Sequence, residues 1–235
     1  MEKKVNSLKR TAHHAGLLYL MWVLTGIYGI IYVPSKTMVE GNAMATANKM
    51  LANETVFRTG VINDIISATL WVLIALALYR LFKHVDEHQA KLLVVLVVVQ
   101  IPVVFIMQAF NLSSLMIFKG EILRTFEDRQ RQDLAMFMIT VNEQVTTGLV
   151  MFWGLWLLPF GRLVYKSGFI PRILGIFLVL NGIAFILYCF TSLFLPDYKE
   201  LFFKMATPIW TLGEISIMLW LLIKGVKETD LQKTY

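Results

Sequence analysis

Six long apolar runs, at about residues 15–34, 57–80, 92–118, 134–158, 173–195 and 206–224, constrain this chain more than any other feature. A hydrocarbon layer of about 30 Å takes about 20 helical residues to cross, and each run supplies that number or close to it. The sequence therefore predicts an all-α fold: a polytopic integral membrane protein with six transmembrane helices in one bundle, a single domain over residues 1–235. Composition agrees, since 57% of the residues are hydrophobic and 16% charged, against about a quarter charged in an ordinary soluble domain. A water-soluble globule is excluded, and the lipid bilayer becomes the first partner. The run from Leu92 to Phe118 exceeds the span length, and Pro102 offers it a place to bend. The basic segment Glu2 to Arg10 resembles the start of a secretory leader, but no small-x-small cleavage site follows, so the first run reads as a retained helix.

The net charge of +6 does not point to nucleic acid, because the basic residues lie mostly between apolar runs, where they act as an orientation signal. With six spans the two termini share a side. That side carries thirteen of the 22 Lys and Arg residues: Lys3, Lys4, Lys9, Arg10, Arg80, Lys83, Lys91, Arg162, Lys166, Arg172, Lys224, Lys227 and Lys233. The other side carries nine, so cytoplasmic amino and carboxyl termini are expected. The single cysteine, Cys189, excludes an intramolecular disulfide and a two-cysteine metal or redox site. In the first outer connection, Ser35 to Val56, Asn42 followed by good helix formers predicts a short interfacial helix.

Several words along the chain carry a resemblance. Tyr32-Val33-Pro34-Ser35-Lys36, Ala45-Thr46-Ala47-Asn48, Phe57-Arg58-Thr59-Gly60, Asp64-Ile65-Ile66-Ser67 and Ala75-Leu76-Ala77-Leu78-Tyr79-Arg80 are similar to the bacterial membrane proteins grouped as domain of unknown function 4386. Gly154 to Gly161 and Tyr165 to Gly175, with Ser-Gly-Phe-Ile-Pro-Arg between, resemble that family's inner loop between the fourth and fifth spans. The resemblance covers about Thr11 to Val226 and implies a bacterial cytoplasmic-membrane protein. It carries no activity to transfer.

Three carboxylates stand inside the predicted spans: Asp64 in the second, Glu143 in the fourth and Glu214 in the sixth. Each lies roughly six to nine positions from the outer end of its run, about 9 to 14 Å deep. Gln108 and Asn111, in the third run, reach a comparable depth from the other direction. On helical wheels Gly60, Asn63, Asp64, Ser67 and Trp71 share an arc of about 100°, and Gln100, Gln108, Asn111 and Ser114 an arc of about 120°. Glu143 shares a side of its helix with Thr140, Gln144 and Thr147, while Asn142 and Thr146 point away from it.

These stripes predict a polar pocket between the second, third, fourth and sixth spans, lined by Asp64, Glu143, Glu214, Asn63, Gln108 and Asn111 and open to the outside. An ionised carboxylate at a helix centre costs about 2.5–3.5 kcal/mol on insertion scales, so it needs a partner, water or a proton. Arg58, about a turn and a half from Asp64, is the nearest candidate counter-charge in sequence.

The expectation is binding or transport of a small cationic or polar ligand, with protons as the coupled species. Two alternatives stand beside it. The polar stripes can be packing glue in a structural or partner-binding subunit, since interhelical hydrogen bonds average about 0.6 kcal/mol. The acids can also serve as general acid and base in an intramembrane enzyme. No nucleophile, metal cluster or phosphate-binding loop accompanies them, so no catalytic residue, metal or cofactor is assigned. His13, His14, His84 and His88 all lie on the terminus side, and His84 and His88 fall in a charged loop read as solvated. Gly168, Gly175 and Gly182 recur every seven residues and predict a close-packing face on the fifth span.

Overall fold

The computed structural model describes residues 2–226, and among them it contains helices and turns but no strand. Lys227 and Lys233, counted above, lie outside the described residues. Six helices are long and apolar enough to cross a membrane: Asn6–Thr37, Glu54–Phe82, Glu87–Phe118, Asp128–Ser167, Arg172–Phe194 and Pro196–Ile223. The first is built from α1 (Glu2–Gly26), a π-helical stretch (Ile27–Tyr32) and α2 (Val33–Thr37). After it come α3 (Ala43–Ala52) and α4 (Glu54–Phe82). The third long helix breaks into α5 (Glu87–Val98) and α6 (Ile101–Phe118), next to Pro102, where the sequence offers a bend. The rest are α7 (Asp128–Ser167), α8 (Arg172–Phe194) and, after a 3-10 turn at Pro196–Tyr198, α9 (Lys199–Ile223).

The helix ends depart from the apolar runs. With 40 residues α7 is about 60 Å long, twice the hydrocarbon thickness. It continues through Pro159 to Ser167, so most of the stretch that resembles an inner loop is helical. Proline inside a helix costs about 3 kcal/mol. Trp156, Leu157, Phe160, Leu163 and Val164 are buried around it, and such packing against neighbouring helices is what lets a membrane span keep a proline. The charged loop after α4 is likewise short, a turn from Lys83 to Asp86. Asp86 caps α5 by accepting from the Gln89 amide (3.2 Å) and pairs with Lys166 Nζ at 2.9 Å. Lys166, helped by that amide, holds the Asp86 carboxyl below the usual carboxylate range. His84 lies in the turn and His88 in the first turn of α5, so the two rings do not share one helix.

The chain forms two compact units. The first holds Met1–Met21, Leu70–Gln100 and Thr147–Tyr235. Its core is aromatic: the Trp156 ring lies 6.4 Å from Tyr19, 5.8 Å from Trp71 and 5.6 Å from Phe160. Phe82 stands between Phe160 (6.0 Å) and Phe169 (5.8 Å).

A close-packed seam joins α7 to α8. A Cβ on Gly175 would lie 2.6 Å from the Gly161 carbonyl oxygen, and one on Gly161 would lie 2.6 Å from that of Gly175. Gly154 and Gly182 face each other in the same reciprocal way. Gly168, at φ +72°, makes the turn between the two helices. The predicted face on the fifth span is therefore present at Gly175 and Gly182, and it is matched by a second series on α7. One step further out, Cys189 Sγ donates to the Thr147 carbonyl at 3.3 Å, continuing the same seven-residue register. At the other end of this unit α1 meets the end of α9. Gly16 lies against the Leu221–Leu222 backbone, and His13 Nδ1 is 2.9 Å from the Leu222 carbonyl.

The second unit holds Trp22–Thr69 and Ile101–Thr146. Met50, Phe57, Val61, Leu115 and Ile139 form its core, with Met38, Ile65, Leu112, Phe118 and Met136 packed around them. The helix expected after Asn42 is α3, with the Asn42 side chain accepting from the Ala45 amide at 2.9 Å. Buried Thr46 ties it to the preceding turn through both the carbonyl (2.9 Å) and the amide (3.1 Å) of Val39. Lys119 bridges Glu54 (3.2 Å) and Glu121 (2.8 Å).

Candidate functional site: two carboxylates held by neutral partners

Asp64 lies in the second unit, on α4, and Gln108 and Asn111 lie one turn apart on α6. Gln108 Nε2 donates to Asp64 Oδ2 at 3.1 Å, and Asn111 Nδ2 donates to Gln108 Oε1 at 3.1 Å. A residue from α7 completes the row. Asn142 Nδ2 donates to Asn111 Oδ1 at 2.7 Å and to the Met107 carbonyl at 3.0 Å. The donors all run one way, from Asn142 through Asn111 and Gln108 to the carboxylate. Such a row fits an acid that only accepts when ionised, and each carboxamide is oriented by its neighbour.

Asn63, beside Asp64, donates to the Thr25 carbonyl on α1 at 3.0 Å and reaches Asp64 Oδ1 at 3.5 Å. The first span meets these groups at its π-helical stretch. A Cβ on Gly29 would lie 2.8 Å from Asn63 Nδ2 and 2.9 Å from Asp64 Oδ1, so only glycine leaves both side chains where they are. Single π-helical turns inside α-helices occur frequently at functional sites. Gln108 is buried, while Asp64, Asn63 and Asn111 are half-buried.

Of the residues expected to line a pocket, Asp64, Asn63, Gln108 and Asn111 thus come together. Arg58 pairs with Glu54, one turn back on α4, at 2.8 Å and is exposed. Glu143 is exposed on α7. The α7 member of the row is its neighbour Asn142, which the sequence reading turned away from the acid-bearing side. Ala135 and Ile139, both buried, lie on the same face of α7, seven and three positions before Asn142, a register that shows only once their burial is known.

Glu214 belongs to the first unit. The Tyr19 hydroxyl, from α1, donates to Glu214 Oε2 at 2.9 Å. Asn181 Nδ2, from α8, lies 3.5 Å from Glu214 Oε1 and donates to the Trp210 carbonyl at 3.2 Å. Gly213 lets α9 approach, since a Cβ there would lie 2.8 Å from Asn181 Nδ2. Both partners are fully buried, and the sequence reading singled out neither of them. Asn181 is the one carboxamide in the fifth apolar run, which was the available signal. Among the described residues neither Asp64 nor Glu214 has an ion-pair partner. Among those residues, too, no three His, Cys, Asp or Glu are grouped to hold a metal.

Comparison with known proteins gives one match. The model of the family described as Domain of unknown function (DUF4386) fits residues 14–225. No curated protein and no solved structure matches the chain.

Proposed function

The chain belongs to the DUF4386 family, whose description assigns no activity, and from the geometry above we propose that it binds a small cationic or polar ligand at Asp64 inside the membrane. The observation that carries this reading is the carboxylate of Asp64, approached by Gln108 and Asn63 and by no Lys, Arg or His among the described residues. An ionised acid in a membrane span without a counter-charge is stabilised by a guest cation or by a proton. Asp64 supplies the charge, and Asn63, Gln108 and Asn111 orient it. Glu143 and Arg58 are proposed to act nearer the aqueous side, and Glu214 as a further acid. The setting proposed is a bacterial cytoplasmic membrane, with six spans in one bundle, cytoplasmic termini and α3 at the outer interface. Transport is the activity such a site serves best.

One observation supports a second reading. Gln108, Asn111 and Asn142 already meet one another's hydrogen-bonding needs, as packing glue in a structural subunit would. A thermal-shift series in detergent separates the two, with wild type and Asp64→Asn titrated with sodium, potassium and ammonium. Ligand binding to the folded state alone raises stability by about 2.7 kcal/mol at a hundred times Kd. The binding reading expects that rise in wild type and its loss in Asp64→Asn. An identical response in both leaves the structural reading. Orientation is tested by reporter fusions: a fusion at Tyr235 should be active only as a cytoplasmic reporter, and periplasmic activity overturns the assignment.

A further inference from the structure

We propose that Glu214 is a proton-binding site, holding one exchangeable proton between Tyr19 and Asn181. This deepens the ligand-binding reading by giving the two acids different guests, and it rests on that reading only in treating carboxylates inside the spans as binding groups.

The partners decide the guest. A metal or organic cation is held by oxygen lone pairs, yet Glu214 is met by a phenol O–H on one oxygen and a carboxamide N–H on the other. Both partners are 0% exposed and Glu214 itself is half-buried, so an ion held between them would have to leave most of its hydration shell behind. A bare proton needs no such room. The Tyr19 contact at 2.9 Å suits either charge state, since a phenol oxygen donates to a carboxylate and accepts from a carboxyl. The Asn181 amide hydrogen can be accepted by either form.

No ion-pair partner faces Glu214 among the described residues, and an acid in a span without a counter-charge takes up a proton or a cation. Trp156 of α7 packs on the Tyr19 ring and Trp71 of α4 on Trp156, and neither ring carries a charge. On α1 the titratable group is Tyr19 itself, and His13, further along, lies at hydrogen-bond distance from the Leu222 carbonyl. The residue α8 presents is Asn181, which does not titrate. On α9 the neighbours one turn away are Trp210, Thr211, Ile217 and Met218, none of which carries a charge.

Infrared spectroscopy of the full chain in detergent, titrated across pH in H2O and D2O, reads the carboxyl directly. Wild type should show a protonated-carboxyl stretch at neutral pH that shifts on deuteration. Glu214→Gln should lose it and Asp64→Asn should retain it. Tyr19→Phe keeps the ring and removes one hydrogen bond, so the stretch should move to higher frequency, a check that stands even if Glu214→Gln folds poorly. The proposal is overturned if the stretch is absent from wild type at neutral pH, survives in Glu214→Gln, disappears in Asp64→Asn, or is unmoved in Tyr19→Phe. None of these results depends on the cation titration of Asp64, so either idea can fail alone.

Discussion

A chain carrying both Gly175→Leu and Gly182→Leu is expected to fail to fold. Each new side chain starts from a Cβ at 2.6 or 2.7 Å from a carbonyl oxygen of α7, and the obstruction is backbone, which cannot swing aside. Overpacking a core costs about 1–3 kcal/mol where side chains can adjust, and more where two helices must separate. Two such sites consume much of the roughly 5–15 kcal/mol by which a protein is stable. The measurement is the yield of monodisperse protein after detergent extraction. Gly148→Leu, on the facing helix α7 but with nothing within 4 Å of its added Cβ, is the control and should extract normally. Normal yield from the double variant removes the close-packed seam from the account of the fold.

Gly29→Ala is expected to do the opposite, leaving the fold and damaging the site. The atoms in its way are the ends of the Asn63 and Asp64 side chains, which can rotate off, so the backbone of the second unit need not move. Rotation of Asn63 gives up its 3.0 Å bond to the Thr25 carbonyl, and rotation of Asp64 gives up Gln108. Under the binding reading the apparent cation affinity should fall at least about tenfold, equivalent to about 1.4 kcal/mol. The melting temperature without added cation should change little. Gly26→Ala, with open space at its Cβ, should bind as wild type does. Equal affinities for all three proteins would detach the π-helical stretch from the site.

The two outcomes differ because glycine does different work in the two places, and this bears on what the sequence makes legible. The six spans follow from hydropathy alone, because the lipid requirement acts on every residue of a run at once. Their ends do not: α7 outruns its apolar run because burial around Pro159 sustains the helix, and burial is a property of neighbours rather than of the run. The heptad on α8 is visible as a spacing, while its partners Gly154 and Gly161 become meaningful only once the two helices are known to be antiparallel neighbours.

The candidate site divides in the same way. Asp64, Asn63, Gln108 and Asn111 are found from depth and helical face, which one helix suffices to define. Asn142, Tyr19 and Asn181 depend on how one helix is rotated against another, and no single-helix periodicity carries that. Arg58 illustrates the reverse case, since proximity in sequence suggested Asp64 as its partner and an i, i+4 pairing with Glu54 is what forms.

The seam between α7 and α8 also governs how the chain can change length. Thr147 with Cys189, Gly154 with Gly182, and Gly161 with Gly175 are all equidistant from Gly168, so the hairpin reads as a palindrome of small residues about its turn. One residue added at the turn lengthens the link and leaves every pair in place. The same residue added between Gly161 and Gly168 rotates everything before it by about 100° and shifts it by about 1.5 Å, which takes all three pairs out of register together. Insertions and deletions in this hairpin are therefore confined to residues 168–171, or must come in compensating pairs on the two helices.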